Sequence, residues 1–361
     1  MEKTILEVYE DSKKVEGFVN FANPDFYNIL DTLKKGNTFN FIIGGRGTGK
    51  TYTALSLCYD ISLCGCKFLY IRHRGTQTQT IVNKTGNPFK AINTDFQLDI
   101  KASYCDKDGI GNFTNGKTGE IIGYASALSI SGKLRGFDLS DVDIIVWDEF
   151  ILAPNEPRLK DELGLLLNLY ETVNRNREMK GQKPVIVICL SNATKLNSPI
   201  LIGLNLMKQI ENMLNSGENV YTDRGRSVRL ELLKNVPITE KKKQTALYRL
   251  TEGTQFYSHA IENEFAYDNF SDIRKIKNLN EYTPYIHFLD LYVYRHKEGN
   301  RYYFSNVPFP PKTKAPFINA EGNYKILKTN FTHIYGAYLQ GRVIFENYDS
   351  KIKYLSAYNL A

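Results

Sequence analysis

The feature that most constrains the fold of this chain is a glycine-rich stretch near its amino terminus. It reads Phe39-Asn-Phe-Ile-Ile-Gly-Gly-Arg-Gly-Thr-Gly-Lys-Thr51. An apolar run leads into the pattern Gly-x-x-x-x-Gly-Lys-Thr, and a helix-compatible segment follows from Tyr52 to Leu63. This order predicts a β-strand, a phosphate-binding loop and an α-helix.

The residue types of this loop suit the binding of a nucleoside triphosphate. Glycines let the backbone turn tightly and bring its N–H groups against phosphate oxygens, and the helix N-terminus adds partial positive charge. We expect Lys50 to reach the β- and γ-phosphates and the Thr51 hydroxyl to ligate Mg²⁺. The predicted nucleotide-binding residues are Gly44, Gly45, Arg46, Gly47, Thr48, Gly49, Lys50 and Thr51. ATP is favoured over GTP, because Asn83-Lys-Thr-Gly86 lacks the final acid of a guanine-reading motif.

A second feature, a pair of acidic residues, supplies the other half of a hydrolytic site. The apolar run 142–147 predicts a buried parallel strand, and it ends at Asp148-Glu149. We expect Asp148 to hold Mg²⁺ through water, and Glu149 to act as the base that orients the attacking water. The alternative is that both carboxylates merely cap a helix.

A third buried strand, 184–190, ends in Ser191-Asn192. Alternation of strands and helices predicts a parallel α/β sheet, with ligands at the carboxyl ends of the strands. Lys50, Asp148 and Asn192 each follow such an end, so one crevice can hold them. Asn192 is a candidate sensor of the γ-phosphate, or simply a polar residue that starts a turn.

Phosphoryl transfer also needs positive charge at the transition state. Arg175 and Arg177 follow an amphipathic helix whose apolar residues recur at helical spacing between 159 and 173. They can complement the dipole of that helix, or they can reach the nucleotide of a neighbouring subunit in a ring. Arg46, within the loop, is a candidate for the same role in cis.

Other elements are predicted with less chemistry attached. A strand is expected at 67–72, and a hairpin around Asn115-Gly116 with 120–124 as one arm. Further expectations are a mobile loop over 126–134, a long strand 285–294 paired with 301–304, and a helix over 331–339.

Composition limits the class of protein. A chain of 361 residues predicts two domains of unequal size. No run approaches the ~20 apolar residues of a membrane span, and the acidic start does not suit a secretory signal, so we expect a soluble intracellular protein without a membrane partner. The segment from Tyr285 onward contains ten Lys or Arg residues, only five Asp or Glu residues, and many tyrosines. That segment is either a polyanion-binding surface or an ordinary solvated one.

Several of these segments together resemble the DNA-packaging ATPases of small tailed bacteriophages, the podovirus motors that pump a genome into a preformed prohead. The segments that carry the resemblance are Asn40–Thr51, Ile145–Phe150, Leu166–Glu178 and Ile188–Asn192, with weaker similarity at 249–254, 263–265 and 341–345. The third, Leu-Leu-Asn-Leu-Tyr-Glu-Thr-Val-Asn-Arg-Asn-Arg-Glu, is far more specific than a phosphate loop alone.

The resemblance implies three domains. They are an additional-strand P-loop ATPase domain, a small linker domain, and a nuclease-degenerate RNase H-like α+β domain. Between about 209 and 249 polar residues and the run Lys241–Lys243 interrupt shorter apolar stretches, which indicates a linker, so the predicted limits are 1–208, 209–249 and 250–361. It further implies an ATP-hydrolysing homopentameric ring that translocates double-stranded DNA, in the host cytoplasm and docked transiently on the portal vertex of the prohead. The portal is an implied partner, and a vertex-bound RNA is a further candidate.

Carried over to this sequence, the resemblance makes Arg175 the trans-acting finger and Glu149 the catalytic glutamate. The family can place a lysine after its second strand, whereas this chain has His73-Arg74-Gly75, so Arg74 is a candidate replacement. Two alternatives stay open: a terminase-like enzyme with an active nuclease, and a nucleotide-gated scaffold on DNA. Among candidate nuclease acids (Glu264, Asp268, Asp272 and Asp290), only Asp290 is predicted to lie on a strand in the expected place, so we expect no strong nuclease activity.

Overall fold

The structure is a computed structural model that describes residues 3–82, 86–105, 109–152, 156–192, 196, 198–234, 236–254, 257, 272–288, 290–318 and 329–357. The chain divides into two compact units. The first contains Met1–Ile200 and Ser216–Ala266, and the second contains Leu201–Asn215 and Tyr267–Ala361. None of the described helices has the length and apolar composition needed to span a membrane.

The first unit is built on a nine-stranded sheet. Its strands are β1 (Phe39–Gly44), β2 (Lys67–Arg72), β3 (Ile100–Cys105), β4 (Ile110–Asn115), β5 (Ile121–Ala127), β6 (Val142–Asp148), β7 (Ile186–Asn192), β8 (Val220–Asp223) and β9 (Val228–Leu233). Their order across the sheet is β3-β4-β5-β2-β6-β7-β1-β9-β8. The neighbours from β5 to β9 pair in parallel, and antiparallel pairs are confined to the two edges. The central strands are continuous apolar runs because they are covered on both faces.

Helices alternate with these strands along the chain. They are α1 (Ile5–Ser12), α2 (Ile29–Leu33), α3 (Lys50–Ser62), α4 (Gly75–Ile81), α5 (Lys90–Phe96), α6 (Glu162–Asn174), α7 (Pro199–Gly203), α8 (Met207–Ser216), α9 (Ile238–Lys243) and α10 (Ala246–Leu250). The last residues of α7 and most of α8 belong to the second unit. Helix α6 begins after Asp161, whose side chain accepts a bond from Gly164 N at 3.1 Å. Leu166 and Val173 are buried, as their helical spacing predicts, and Leu169 is buried with them, whereas Leu167, expected on the same face, is 43% exposed.

Two local predictions have clear outcomes in this unit. The hairpin is confirmed, since β4 and β5 pair antiparallel and Asn115 N donates to Glu120 O at 2.9 Å. The predicted mobile loop over 126–134 is wrong. Its first residues end β5, which pairs in parallel with β2, and the segment Leu128–Gly136 forms a 3₁₀ helix that buries Leu128 and Leu134.

The range 209–249, predicted as a linker domain, contributes strands to the large sheet. Strand β9 pairs in parallel with β1, directly beside the strand that leads into the phosphate loop. Strand β8 forms the edge next to it. Helices α9 and α10 follow these strands. The division into three domains with limits at 208 and 249 stays a prediction.

The second unit contains a smaller, mixed sheet. Its strands are β10 (Tyr282–Phe288), β11 (Leu291–His296), β12 (Tyr302–Ser305), β13 (Phe317–Ile318) and β14 (Val343–Phe345), in the order β13-β10-β11-β12-β14. Helices α11 (Thr332–Leu339) and α12 (Tyr348–Ala357) accompany them. Phe304, Phe345 and Tyr354 pack together in its core, with ring centroids 4.5 to 5.7 Å apart. An α/β P-loop fold with a separate C-terminal α+β body is therefore confirmed.

The predicted strand 285–294 is two strands. The chain reverses direction between Phe288 and Leu291, and β10 and β11 pair antiparallel. The turn matters for function, because Asp290 then lies in a turn and not on a strand, contrary to the prediction. The pairing of β11 with β12 and the helix at 332–339 are as predicted.

Candidate nucleotide site

The phosphate loop connects the end of β1 to the start of α3. Gly47 (φ +68°) and Gly49 (φ +93°) adopt left-handed backbone conformations that only glycine takes without strain. The hydroxyl of Thr48 donates to Gly45 O at 3.0 Å, and Tyr27 N donates to Thr48 O at 3.0 Å. The loop is thus closed on itself and held from outside by the segment before α2.

Lys50 begins helix α3 and is buried. Its Nζ donates to Gly44 O at 3.1 Å and to Gly45 O at 2.8 Å, and it lies 3.5 Å from Asn192 Oδ1. Burial lowers the pKa of Lys50 to about 8, and the charge of Lys242 adds to this, while Asp148 opposes it. The lysine is therefore held by backbone oxygens at the point where the loop can receive phosphate.

Strand register brings the predicted residues to one edge of the sheet. Gly44 pairs with Asn192 between β1 and β7, and Asp148 pairs with Leu190 between β6 and β7. The carboxyl ends of three neighbouring parallel strands are therefore nearly level. A cavity of about 260 Å³ opens there, lined by Arg46, Gly47, Thr48, Gly49, Lys50, Thr51, Tyr52, Asp148, Glu149, Ser191 and Asn192. Lys50, Asp148 and Asn192 therefore share one crevice, as expected.

Asp148 and Thr51 offer oxygen ligands to this cavity. Thr51 Oγ1 donates to Asp148 Oδ1 at 3.1 Å. The other carboxylate oxygen, Oδ2, accepts from Tyr70 OH at 2.7 Å and from Arg72 Nη1 at 3.2 Å. Oxygen ligands of this kind are what Mg²⁺ prefers, and few are needed because Mg²⁺ keeps several waters. The residues present therefore fit the ion that the sequence predicts.

Glu149 follows β6 in a left-handed conformation (φ +56°), which points it out of the strand. Its side chain is 45% exposed, and Oε2 forms an ion pair with Arg72 Nη2. Burial opposes the charge of Arg72, but Tyr70, Asp148 and Glu149 outweigh it and raise the pKa of Arg72. One partly buried arginine thus contacts both carboxylates.

Arg72 and Tyr70 were not predicted as functional residues. The sequence held a signal for them, because both lie on the predicted strand 67–72. The carboxyl end of that strand lies beside the carboxyl end of β6. Their partner became visible only once β2 was placed beside β6 in the sheet. Arg74, the candidate replacement for a lysine, lies further along and donates from Nη2 to Pro157 O at 2.7 Å.

The two arginines that follow α6 lie at the amino ends of the parallel strands, opposite the carboxyl ends where the cavity opens. Arg175 Nη1 pairs with Asp138 Oδ1 at 3.0 Å, and Arg177 Nη1 pairs with Asp143 Oδ1 at 3.2 Å. Asp143 is near the start of β6 and Asp148 at its end, roughly 16 Å along a strand that rises 3.3 Å per residue. Arg175 is therefore not part of the nucleotide site of its own chain. It stays accessible, with a side chain 43% exposed, whereas Arg177 is 11% exposed.

The candidate nuclease acids of the second unit have partners of their own. Asp272 Oδ1 lies 2.7 Å from Lys351 Nζ, and Asp290 forms an ion pair with Lys353. Glu264 and Asp268 lie outside the described residues. Within the described part of the chain, no group of three or more His, Cys, Asp or Glu residues is arranged to hold a metal ion.

The chain is similar in sequence to DNA packaging proteins of bacteriophages. Residues 22–349 match the family model described as podovirus DNA encapsidation protein (Gp16). The DNA packaging proteins of Bacillus phages PZA and phi29 are each 30% identical to this chain over 257 residues, which is 69% of this chain and 69% of each relative.

Solved structures are similar in fold. The chain resembles one from the bacteriophage Phi-29 viral genome packaging motor assembly, with a TM-score of 0.64, 23% identity, and coverage of 93% of this chain and 99% of the other. It also resembles the Phi-28 gp11 DNA packaging motor, with a TM-score of 0.55, 18% identity, and coverage of 90% and 95%.

Proposed function

This chain belongs to the family of podovirus DNA encapsidation proteins (Gp16), and on that premise we propose that it is an ATP-driven motor that moves double-stranded viral DNA into a preformed capsid. The observation that carries the proposal is the convergence of Lys50, Thr51, Asp148 and Glu149 on one cavity at the carboxyl edge of the parallel sheet. A phosphate loop beside two strand-end carboxylates is the arrangement that hydrolyses nucleoside triphosphates.

Each residue has a role in this proposal. The N–H groups of the loop and Lys50 bind the phosphates of ATP, and Arg46 adds positive charge from within the loop. Thr51 and Asp148 hold Mg²⁺, which neutralises phosphate charge when bound. Glu149 orients the attacking water through the carboxylate oxygen that Arg72 does not bind, and Asn192 senses the γ-phosphate beside Lys50.

Arg175 acts in trans. Its position at the amino edge of the sheet separates it from the nucleotide of its own chain, and it is exposed enough to meet a neighbour. We propose a closed homo-oligomeric ring, a pentamer, in which Arg175 of one subunit completes the site of the next. An arginine in such a role contributes roughly 10³–10⁵ to the rate of turnover.

The second unit supplies the grip on DNA. Its segment from Tyr285 onward carries the larger part of the net positive charge of the chain. Phosphate contacts made by such charges are independent of sequence and sensitive to salt. We propose the limits 1–208, 209–249 and 250–361 for the ATPase, linker and DNA-binding domains. The ring works in the host cell, docked on the portal of the prohead, where a structural RNA is a candidate further partner.

The test is ATP turnover with and without duplex DNA. We expect Glu149→Gln to bind ATP normally and to hydrolyse it about 10²–10⁴ times more slowly, which is what a general base contributes. Glu171→Gln, an exposed glutamate on α6, is the matched control and should keep full activity. We expect DNA binding to weaken roughly 10³-fold or more between about 50 and 200 mM salt. Normal turnover by Glu149→Gln, or duplex binding that ignores salt, would refute the proposal.

A further inference from the structure

Helix α9 brings a second lysine to the phosphate loop. Lys242 Nζ donates to the backbone carbonyl of Arg46, the third residue of the loop. A methyl group placed on Gly47 would lie only 2.7 Å from the same nitrogen. Arg46 and Gly47 both line the cavity at the strand ends, so the ammonium group of Lys242 lies beside two residues of that lining.

The position of Lys242 is fixed by contacts on either side of it. Ile238 N, at the start of α9, donates to Asp25 O at 2.8 Å, and Lys241 forms an ion pair with the side chain of Asp25. Asp25 is two residues from Tyr27, which donates to Thr48 O in the loop itself. Helix α9 and the segment around Asp25 therefore brace the loop together.

The two neighbouring lysines of α9 have acidic partners, whereas the described side-chain partner of Lys242 is not acidic. Lys241 pairs with Asp25, and Lys243 pairs with Glu240 at 2.7 Å, whereas the described bond of Lys242 is to a carbonyl oxygen. Burial and the nearby charge of Arg46 lower the pKa of Lys242, and Lys242 in turn depresses the pKa of Lys50. Lys242 is thus repelled by a cation on each side, Arg46 and Lys50, and a bound polyanion would relieve that repulsion.

We propose that Lys242 is a phosphate-binding residue of the nucleotide site, which exchanges its bond with the carbonyl of Arg46 for an oxygen of the bound triphosphate. The inference rests on the ATPase function proposed above and extends its site to a helix that follows the last strand of the large sheet. Because the attraction is electrostatic, it grows with the charge of the ligand, so ATP gains more from Lys242 than ADP does.

The test compares nucleotide affinities of the full chain with Mg²⁺ present. Dissociation constants for a non-hydrolysable ATP analogue and for ADP are measured for Lys242→Gln, Lys242→Arg and the control Lys243→Gln. Loss of one charge-assisted contact predicts about tenfold weaker binding of the ATP analogue by Lys242→Gln, and about threefold or less for ADP. Lys242→Arg should bind nearly as the unmodified chain does, and Lys243→Gln should be unchanged.

A role for Lys242 only in tethering the loop gives a different result. Lys242→Gln would then lose affinity equally for both nucleotides and would unfold at a lower temperature without nucleotide, and this outcome overturns the inference. Unchanged affinity of Lys242→Gln for the ATP analogue also overturns it, while leaving the ATPase proposal intact. Failure of the unmodified chain to bind either nucleotide would instead refute the proposed function itself.

Discussion

At the scale of single residues, burial of Lys50 beside the phosphate loop has a cost in folding stability that depends on pH. Its ammonium group is buried among carbonyl oxygens, and burial lowers its pKa from 10.5 to about 8. In the nucleotide-free protein, charged Lys50 therefore costs folding stability below pH 8, and this cost disappears as the pH rises toward 10.5. Bound phosphates favour the charged form and reverse the effect.

This reversal predicts a pH dependence of ATP binding. Above pH 8, ATP binding must be accompanied by protonation of Lys50, so affinity should fall with rising pH and approach a tenfold loss per pH unit. The measurement is the dissociation constant of a non-hydrolysable ATP analogue between about pH 7 and 9.5. The pKa of Lys242 is lowered too, so the background variant Lys242→Arg isolates Lys50. A flat profile in that variant would contradict the assignment.

Asp60 is a second residue whose burial can be tested, and it lies away from the nucleotide. It is fully buried on α3, where it accepts a bond from Val19 N at 2.9 Å. Burial raises its pKa to about 7, and the bond from Val19 opposes this only in part. Because the folded state holds the proton more tightly, Asp60 reduces stability as the pH rises from about 4 through 7.

Asp60→Asn keeps the acceptor for Val19 and removes the charge. We expect it to raise the free energy of unfolding by about 2–4 kcal/mol at pH 8, and to change it little at pH 4, where Asp60 is already protonated when folded. Urea unfolding at both pH values measures the difference. The exposed Asp31→Asn serves as the control. An equal effect of Asp60→Asn at the two pH values would show that charge burial is not the cause.

At the scale of elements, local patterns were predicted well and neighbours in space were not. The strand, loop and helix around Lys50 follow from adjacent residues, since glycine spacing and an apolar run determine them locally. The pairing of β9 with β1 joins residues almost two hundred positions apart, and no local pattern encodes it. Arg72 and Lys242 were missed for the same reason, because their roles depend on which elements become neighbours.

Helix α6 contacts both ends of the parallel strands of the sheet. At its start, Glu162 lies 3.8 Å from His73, which follows β2 on the nucleotide edge. At its end, Asn174 Oδ1 accepts from Val185 N, just before β7 on the opposite edge. The helix therefore spans the sheet and presents Arg175 far from its own nucleotide. Arg175 itself has φ +44°, a conformation that glycine adopts with less strain.

At the scale of the whole molecule, this placement separates the two halves of the catalytic site proposed above. One half, with Lys50 and Glu149, lies at the carboxyl edge of the sheet, and the other, Arg175, lies at the amino edge. A head-to-tail contact between identical subunits brings such unlike surfaces together and closes into a ring when the rotation allows. On the proposed trans role of Arg175, a monomer binds ATP without being a complete ATPase, and we expect its activity to depend on assembly.

Mixing two inactive variants tests this division. Arg175→Gly removes the finger without adding backbone strain, and Lys50→Ala disables the phosphate loop, so each alone should be nearly inactive. In mixed rings, an Arg175→Gly subunit provides an intact loop and a Lys50→Ala neighbour provides an intact arginine. With random assembly at equal amounts, about a quarter of the interfaces are complete, whatever the ring size, so ATP turnover should recover to about that fraction.

A matched mixture shows whether the recovery has the stated cause. Lys50→Ala and Glu149→Gln both damage the half-site at the carboxyl edge, so every interface in their mixture lacks one of the two groups and no turnover should return. Recovery in this control would mean that Glu149 and Lys50 act from different subunits. Absence of recovery at any ratio of Arg175→Gly to Lys50→Ala would exclude a finger in trans, because the intact halves would then have met without restoring the site.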